Sequence, residues 1–149
     1  MKKIKFSLPT HKELISVQPV LAEWSQSWAF WPLEEVMKSL NHQECFVALA
    51  TQEDQIVGFS FWKCILEDAE LLFVFVPEAQ RGKGVAKELL AFSMIHLESL
   101  GAKMVSLEVR PSNRSAVDLY GRLGFSILST RKNYYKDGES AHVFSKELP

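Results

Sequence analysis

The feature that most constrains this chain is a change of rhythm in its middle. Leu71 to Val76 is an unbroken apolar run, Pro77 ends it, and Arg81-Gly82-Lys83-Gly84 forms a glycine-rich turn before a helical pattern takes over. In that pattern Val85, Leu89 and Phe92 make one stripe and Ala86, Leu90, Met94 and Leu97 its neighbour, with Gly101 placed to end the helix. Lys103 to Arg110 is β-rich again. A strand, a helix and a strand joined in this way predict a parallel, right-handed crossover in the middle of a sheet. An apolar run without alternation predicts a strand covered on both faces.

The flanking segments fill in the rest of an α/β domain. Lys2 to Leu8 alternates as a first strand. From Thr10 to Ser27 the apolar residues Leu14, Val17, Leu21 and Trp24 recur at helical steps, and Thr10 stands at the capping position. Pro32 opens a second short helix, with Glu34 and Glu35 in its first turn and Val36, Met37 and Leu40 facing inward. Glu44 to Thr51 and Gln55 to Ile65 read as a hairpin around Gln52-Glu53-Asp54. Asn113 begins a last helix with Ala116, Leu119, Tyr120 and Leu123 on one side and Gly124 at its close. Phe125 to Lys132 and His142 to Glu147 are the final strands, so the expected architecture is a mixed sheet with helices on both faces.

With 149 residues and no repeat or linker, the chain is expected to be a single domain over 1–149. Seventeen basic residues against eighteen acidic ones argue against a nucleic-acid-coating protein. No apolar run is long enough to span a bilayer, and no apolar stretch follows the charged Met1-to-Phe6 segment, so a cytoplasmic protein without membrane contact is expected. Cys45 and Cys64, each in a strand-like segment, are expected to be buried thiols rather than a disulfide. The charge is unevenly spread. Glu13 to Glu78 holds eleven acidic and two basic residues, whereas Ala79 to Lys136 holds ten basic and four acidic. The second half is therefore suited to an anion and the first to a cationic partner, unless these are simply solvated faces. The four histidines, His11, His42, His96 and His142, lack metal-ligand spacing, and no metal is expected.

A glycine-rich turn between a strand and a helix is where an anion is expected to sit, because helix N-terminal amides point outward and glycine lets a ligand approach the main chain. The spacing is neither that of a P-loop nor of a dinucleotide fingerprint; what stands there is Arg81-x-x-Gly84-x-Ala86. Read alone, the loop is equally a tight turn. Glu108, inside Met104-Val105-Ser106-Leu107-Glu108-Val109-Arg110, is costly on a strand with both faces covered unless it has a partner or a task; pairing with Arg110 or a solvated edge is the plainer alternative. Tyr120, on an otherwise aliphatic helix face, is by the same reading a core aromatic whose hydroxyl reaches the surface.

Together these segments carry a resemblance. Arg81-x-x-Gly84-x-Ala86 after an apolar strand resembles the acyl-CoA signature of the GNAT N-acetyltransferase superfamily. Leu107-Glu108-Val109-Arg110-Pro111-Ser112-Asn113, Leu119-Tyr120-Gly121-Arg122-Leu123-Gly124-Phe125 and Arg131-Lys132-Asn133-Tyr134-Tyr135 look like its bacterial ribosomal-protein-alanine N-acetyltransferase (RimI-like) branch. The likeness runs from about Gln43 to Leu148, with a weaker echo at Phe30-Trp31-Pro32-Leu33-Glu34-Glu35. It implies a mostly antiparallel sheet of about seven strands with one central parallel β-α-β crossover, and acetyl-CoA as co-substrate. It further implies that backbone groups at Val74 and Val76 hold the pantetheine. Arg81, Gly82, Lys83, Gly84, Val85, Ala86 and Lys87 would hold the pyrophosphate, and Asn113 would touch the cofactor as well as cap its helix.

The same resemblance makes Glu108 the proton acceptor, the Val76 amide the oxyanion donor and Tyr120 the acid for the departing thiolate. Arg131, Tyr134 and Tyr135 would engage the acceptor peptide. The implied reaction is direct attack of a protein's N-terminal α-amine, plausibly alanine of a small-subunit ribosomal protein, on the thioester; a small-molecule amine and a non-catalytic acyl-CoA-binding module are the alternatives. Acidity favours the first. An α-amine has a pKa near ~8 and a lysine near ~10.4, a difference of about 3 kcal/mol in deprotonation. The sequence departs from the branch pattern at Lys132, at Glu139-Ser140-Ala141, at Pro77 and through most of the first 30 residues.

Overall fold

The computed structural model describes residues 2–26 and 32–149. Their elements run β1 (Lys5–Ser7), α1 (His11–Ser25), α2 (Leu33–Ser39), β2 (Cys45–Gln52), β3 (Gln55–Ile65), β4 (Asp68–Phe75), α3 (Val85–Ser99), β5 (Met104–Val109), α4 (Arg114–Arg122), β6 (Ser126–Arg131) and β7 (Ala141–Glu147). The seven strands are ordered β1-β2-β3-β4-β5-β7-β6, and β4 with β5 is a parallel pair. This is the expected order of elements and the expected mixed sheet.

Local chemistry sets the element ends. Thr10 caps α1 with a full capping box: its hydroxyl accepts from the Glu13 N–H at 3.2 Å and the Glu13 carboxylate accepts from the Thr10 N–H at 3.3 Å. The Ser27 end expected for this helix and the Phe30-Trp31 pair lie outside the described residues. Gln52 pairs with Gln55, so Glu53 and Asp54 form a two-residue hairpin turn, both at positive φ (53° and 63°) as a primed turn requires. Gly101 and Gly124, at φ 90° and 93°, follow α3 and α4 as expected of helix-ending glycines.

Two compact units make up the chain. One comprises the described residues of Met1–Lys63 with Leu72–Ser93. In it β2 alternates: Val47 and Leu49 pack with Leu14 and Leu21 of α1, Val36 of α2, and Phe59, Phe61 and Phe73, whereas Ala48 and Ala50 pack on the opposite side with Val76, Val85 and Leu89. Helices thus cover both faces here. The bulge between Ala50 and Thr51 leaves Val57 without a cross-strand partner and keeps Gly58 turned toward α3. A buried hydroxyl chain crosses the same contact. Trp62 Nε1 donates to Ser60 Oγ at 2.8 Å, and Ser93 Oγ donates to the Leu89 carbonyl at 2.8 Å. The 3.4 Å contact between the two hydroxyls therefore takes its proton from Ser60.

The other unit comprises Cys64–Leu71 with Met94–Pro149. Asp68, Ala69 and Glu70 pair in parallel with Met104, Val105 and Ser106, and β5 and β6 flank β7 antiparallel. Val105, Leu107 and Val109 are buried, while Ser106 and Glu108 between them are half-buried.

Three expectations are corrected. The first strand is only Lys5–Ser7 rather than Lys2 to Leu8. The apolar strand begins at Asp68, and its burial alternates over Ala69, Leu71 and Phe73 with half-buried Leu72 and Val74 between, so it is not equally covered on both faces. Cys45 and Cys64 are free thiols, as expected, but half-buried; burial is the main cause raising the pKa of each. Among the described residues no helix is long and apolar enough to cross a membrane.

Candidate active site

In the first unit the strand–loop–helix segment is held open from within. Val74 is half-buried, Val76 buried, and Pro77 starts a short 3-10 turn, Glu78–Gln80. The Arg81 side chain then reaches back, its Nε–H donating to the Val76 carbonyl at 2.9 Å. This bond takes one lone pair of the Val76 carbonyl and fixes the turn, a role for Arg81 that its place in a phosphate signature does not reveal. Gly82 and Gly84 follow at φ 76° and 80°, where an added Cβ would meet nothing within 4 Å. Glycine is required there by the backbone angle, and the space above the main chain is open.

α3 starts at Val85, and Glu88 is its first amide bonded into the helix, to the Gly84 carbonyl at 3.0 Å. The N–H groups of Val85, Ala86 and Lys87 have no intrahelical partner, and Lys83 and Lys87 are exposed beside them. Free amides, the positive end of a fifteen-residue helix and two lysines suit a diphosphate. The residues present therefore fit the phosphate end of an acyl-CoA.

The second unit gathers the expected acid–base and acceptor residues. Register explains why: Glu108 pairs with Val143, Arg131 pairs with Ala141, and residues two apart on β7 share a face. Two long side chains thus meet across the middle strand, Arg131 Nε lying 3.3 Å from Glu108 Oε1, with 22% of the Glu108 side chain exposed. Glu108 accordingly pairs neither with Arg110 nor faces a fully covered layer, as its sequence context suggested. Tyr134 joins them. The Glu108 carboxylate, as an acceptor for its phenol, is the largest cause of its raised pKa, ahead of burial and the carboxylate's charge. The Tyr134 ring makes an edge contact with Tyr135 at 5.0 Å and lies 5.7 Å from the Arg131 guanidinium.

Tyr120 is on α4 and buried, so burial foremost, then the Tyr135 phenol, push its pKa up to about 12. Its ring makes edge contacts with Phe125 and Phe144 at 5.9 and 6.3 Å. Phe144 pairs with Leu107, so these contacts belong to the face of β5 opposite Glu108. Among the described residues Glu108 and Tyr120 share no hydrogen bond; Tyr135 is the residue electrostatically coupled to both. Asn113 caps α4 through Oδ1, which accepts from the Ala116 N–H at 3.3 Å and the Ser115 hydroxyl at 3.2 Å. The cap uses the carbonyl half of that amide and leaves its NH2 to a ligand.

Sequence reasoning missed the group beside this cluster. Arg110 binds Asp137 and Glu139 at 2.8 and 2.9 Å and lies 3.9 Å from the Tyr135 ring centroid. The one available signal was that Arg110 falls inside a quoted motif and that Glu139-Ser140-Ala141 is a point where the sequence departs from the branch pattern.

Fold and loop together define an acyltransferase scaffold, and the chain belongs to the acetyltransferase (GNAT) family, whose model matches residues 13–125. The particular relatives are narrower. The [ribosomal protein bS18]-alanine N-acetyltransferase of Salmonella typhimurium is 37% identical over 126 residues, covering 82% of this chain and 84% of the relative. That of Haemophilus ducreyi is 38% identical over 85 residues, 57% of this chain and 59% of the relative, so this match spans under two thirds of the relative's length. The crystal structure of the ribosomal-protein-S18-alanine N-acetyltransferase from Escherichia coli superposes with a TM-score of 0.84 at 28% identity, covering 98% of this chain and 94% of that one.

Proposed function

We propose that residues 1–149 form one acetyl-CoA-dependent N-acetyltransferase domain that acetylates the N-terminal α-amine of a protein. The favoured acceptor is an alanine at the start of a small-subunit ribosomal protein met in the cytoplasm. The observation that carries this reading is the Glu108 carboxylate: part-exposed, and bordered by a tyrosine pair on a loop. The names of the relatives, which act on ribosomal protein bS18, support the choice of acceptor.

Acetyl-CoA supplies the thioester; the chain's own groups do the rest. The amides of Gly82 to Lys87, with Lys83 and Lys87, hold the diphosphate, and main-chain groups of Val74 and Val76 hold the pantetheine. The Val76 N–H donates to the oxygen on which negative charge develops. Glu108 accepts the proton that the α-ammonium must lose, directly or through one water. Tyr120 gives its proton to the departing sulfur. With a pKa of about 12 it stays protonated between about pH 8, above which the acceptor amine is mostly neutral, and about pH 12. Arg131, Tyr134 and Tyr135 line the approach of the peptide.

The test is intact-mass analysis of peptides that differ only in their first residue, incubated with acetyl-CoA and the full chain, with polyamines and aminoglycosides alongside. Acetylation of the alanine-starting peptide, lost by roughly a hundredfold in Glu108→Gln, is expected. Turnover of the small amines alone, or indifference to Glu108→Gln, would overturn the reading.

A further inference from the structure

We propose that Glu139, acting with Arg110, is a positioning residue that holds the loop between β6 and β7, residues 132–140, in the one shape that offers Tyr134 and Tyr135 to the acceptor peptide; the acceptor role rests on the function proposed above. Glu139 is bonded on both oxygens to groups outside the loop. Its Oε1 accepts from the Arg110 guanidinium and from the Ser112 hydroxyl, both at 2.9 Å, and its Oε2 accepts from the Ser112 backbone N–H at 3.0 Å. Asp137 completes the clamp, Oδ2 accepting from Arg110 at 2.8 Å and Oδ1 from the Glu139 N–H at 3.0 Å. Arg110 follows β5 and Ser112 precedes α4, so the loop is fastened to two elements that it does not itself connect.

The clamp reaches the reacting residues through a continuous chain. The face of the Tyr135 ring lies against the Arg110 guanidinium, Tyr134 touches Tyr135 edge-on, and Tyr134 lies 5.7 Å from the Arg131 guanidinium, whose Nε is 3.3 Å from Glu108. Within the loop the Tyr135 N–H donates to the Glu139 carbonyl at 3.0 Å and the Gly138 N–H to the Tyr135 carbonyl at 2.9 Å, with Asn133 and Gly138 at positive φ. Such a loop has other closures of similar backbone energy, and the carboxylate bonds select among them. The hairpin does not need them to pair, since the ladder already runs to Arg131 opposite Ala141. Loss of the clamp therefore loosens the tyrosines while leaving the strands in register. Hydrogen bonds hold both carboxyls below their ordinary range, Asp137 chiefly through the Glu139 N–H and then Arg110, Glu139 chiefly through the Ser112 hydroxyl and then Arg110, so the clamp stays charged at neutral pH.

Glu139→Gln, Glu139→Ala and Arg110→Gln, made in the full chain, test this by two readouts. Amide hydrogen exchange should quicken about tenfold in 132–140 and stay unchanged in β5 and β7. With an alanine-starting peptide, peptide KM should rise about tenfold, kcat stay within about twofold and KM for acetyl-CoA not move. Glu139→Gln, which keeps one acceptor oxygen, should fall between wild type and Glu139→Ala, and the double variant Arg110→Gln/Glu139→Ala should be no worse than the worse single. A residue that only supports the fold would instead lower kcat and both KM-dependent rates together as folded protein is lost. Unchanged exchange in 132–140 overturns the clamp whatever the wild type acetylates. Loosened exchange with an unmoved peptide KM overturns the acceptor role, and a wild type that acetylates no peptide overturns that role together with the proposed function.

Discussion

A single methyl group at Gly58 should disturb the seat of the helix that carries the proposed phosphate cradle. A Cβ built there lies 3.0 Å from Val85 Cγ1, 3.3 Å from Ala50 Cβ and 3.4 Å from Leu89 Cδ2. Carbon atoms rest at ~3.5–4.0 Å, so the first contact is short by about half an ångström and the second is also tight, while the third is ordinary. Val85 is the first residue of α3, only 2% exposed, and a β-branched side chain in a helix has essentially one rotamer. It cannot swing aside, so the first helical turn must shift. Overpacking of this kind costs about 1–3 kcal/mol, and the loss of unfolded-state freedom on replacing glycine returns about 0.4–1 kcal/mol. The net destabilisation of Gly58→Ala is then about 1–2 kcal/mol, or a Tm lower by about 2–8 °C for a chain of this length. Gly121→Ala is the matched control: it lies inside α4 with nothing within 4 Å of its Cβ, and should stabilise by up to ~1 kcal/mol. Scanning calorimetry of the two variants side by side reads both signs. Because the displaced turn carries the amides of Val85 to Lys87, Gly58→Ala should also raise KM for acetyl-CoA and leave the peptide KM unchanged. A Gly58→Ala protein as stable as wild type, or no less stable than Gly121→Ala, would refute the packing argument.

Two further outcomes are expected. Tyr120 has a folded pKa of about 12 against about 10 unfolded, so its contribution is complete below pH ~10 and is lost as pH rises toward ~12, up to about 3 kcal/mol. Denaturant titrations between those pH values should show that loss in wild type and a flatter profile in Tyr120→Phe, whose kcat should also drop by about a hundredfold; equal alkaline slopes would exclude the burial argument. Arg81→Met removes the bond to the Val76 carbonyl and should raise KM for acetyl-CoA by about tenfold without moving the peptide KM, as steady-state kinetics will read.

What the sequence made legible was what local chemistry decides. The Thr10 cap, the hairpin around Gln52-Glu53-Asp54 and the glycines closing α3 and α4 were readable because each is satisfied within a few residues. The start of β4 was not: Glu67, Asp68 and Glu70 look like loop, yet a parallel partner, Met104 to Ser106, pulls that segment into the sheet. The same limit applied at the candidate site. Glu108 was singled out from its strand, but its partner Arg131 is set by the combined register of β5, β7 and β6, which no spacing along the chain encodes. The bond from Arg81 to Val76 and the bonds of Glu139 to Arg110 and Ser112 were hidden for a like reason. Side-chain type indicated that these residues were polar and near a motif, not whether each would face a ligand or the protein's own backbone.

The hydroxyl relay through Trp62, Ser60 and Ser93 has a further consequence. It runs in one direction, each group giving its hydrogen to the next and the last giving to a helix carbonyl, so it closes only when Ser93 stands opposite Ser60. Sliding α3 along its bed by one turn would trade one greasy surface for another at little cost, but it would strand the Ser60 hydrogen in a dry interior, a penalty of about 1–3 kcal/mol. The relay thus works as a vernier: it sets the height at which the helix, and the proposed anion-binding end built on it, is delivered.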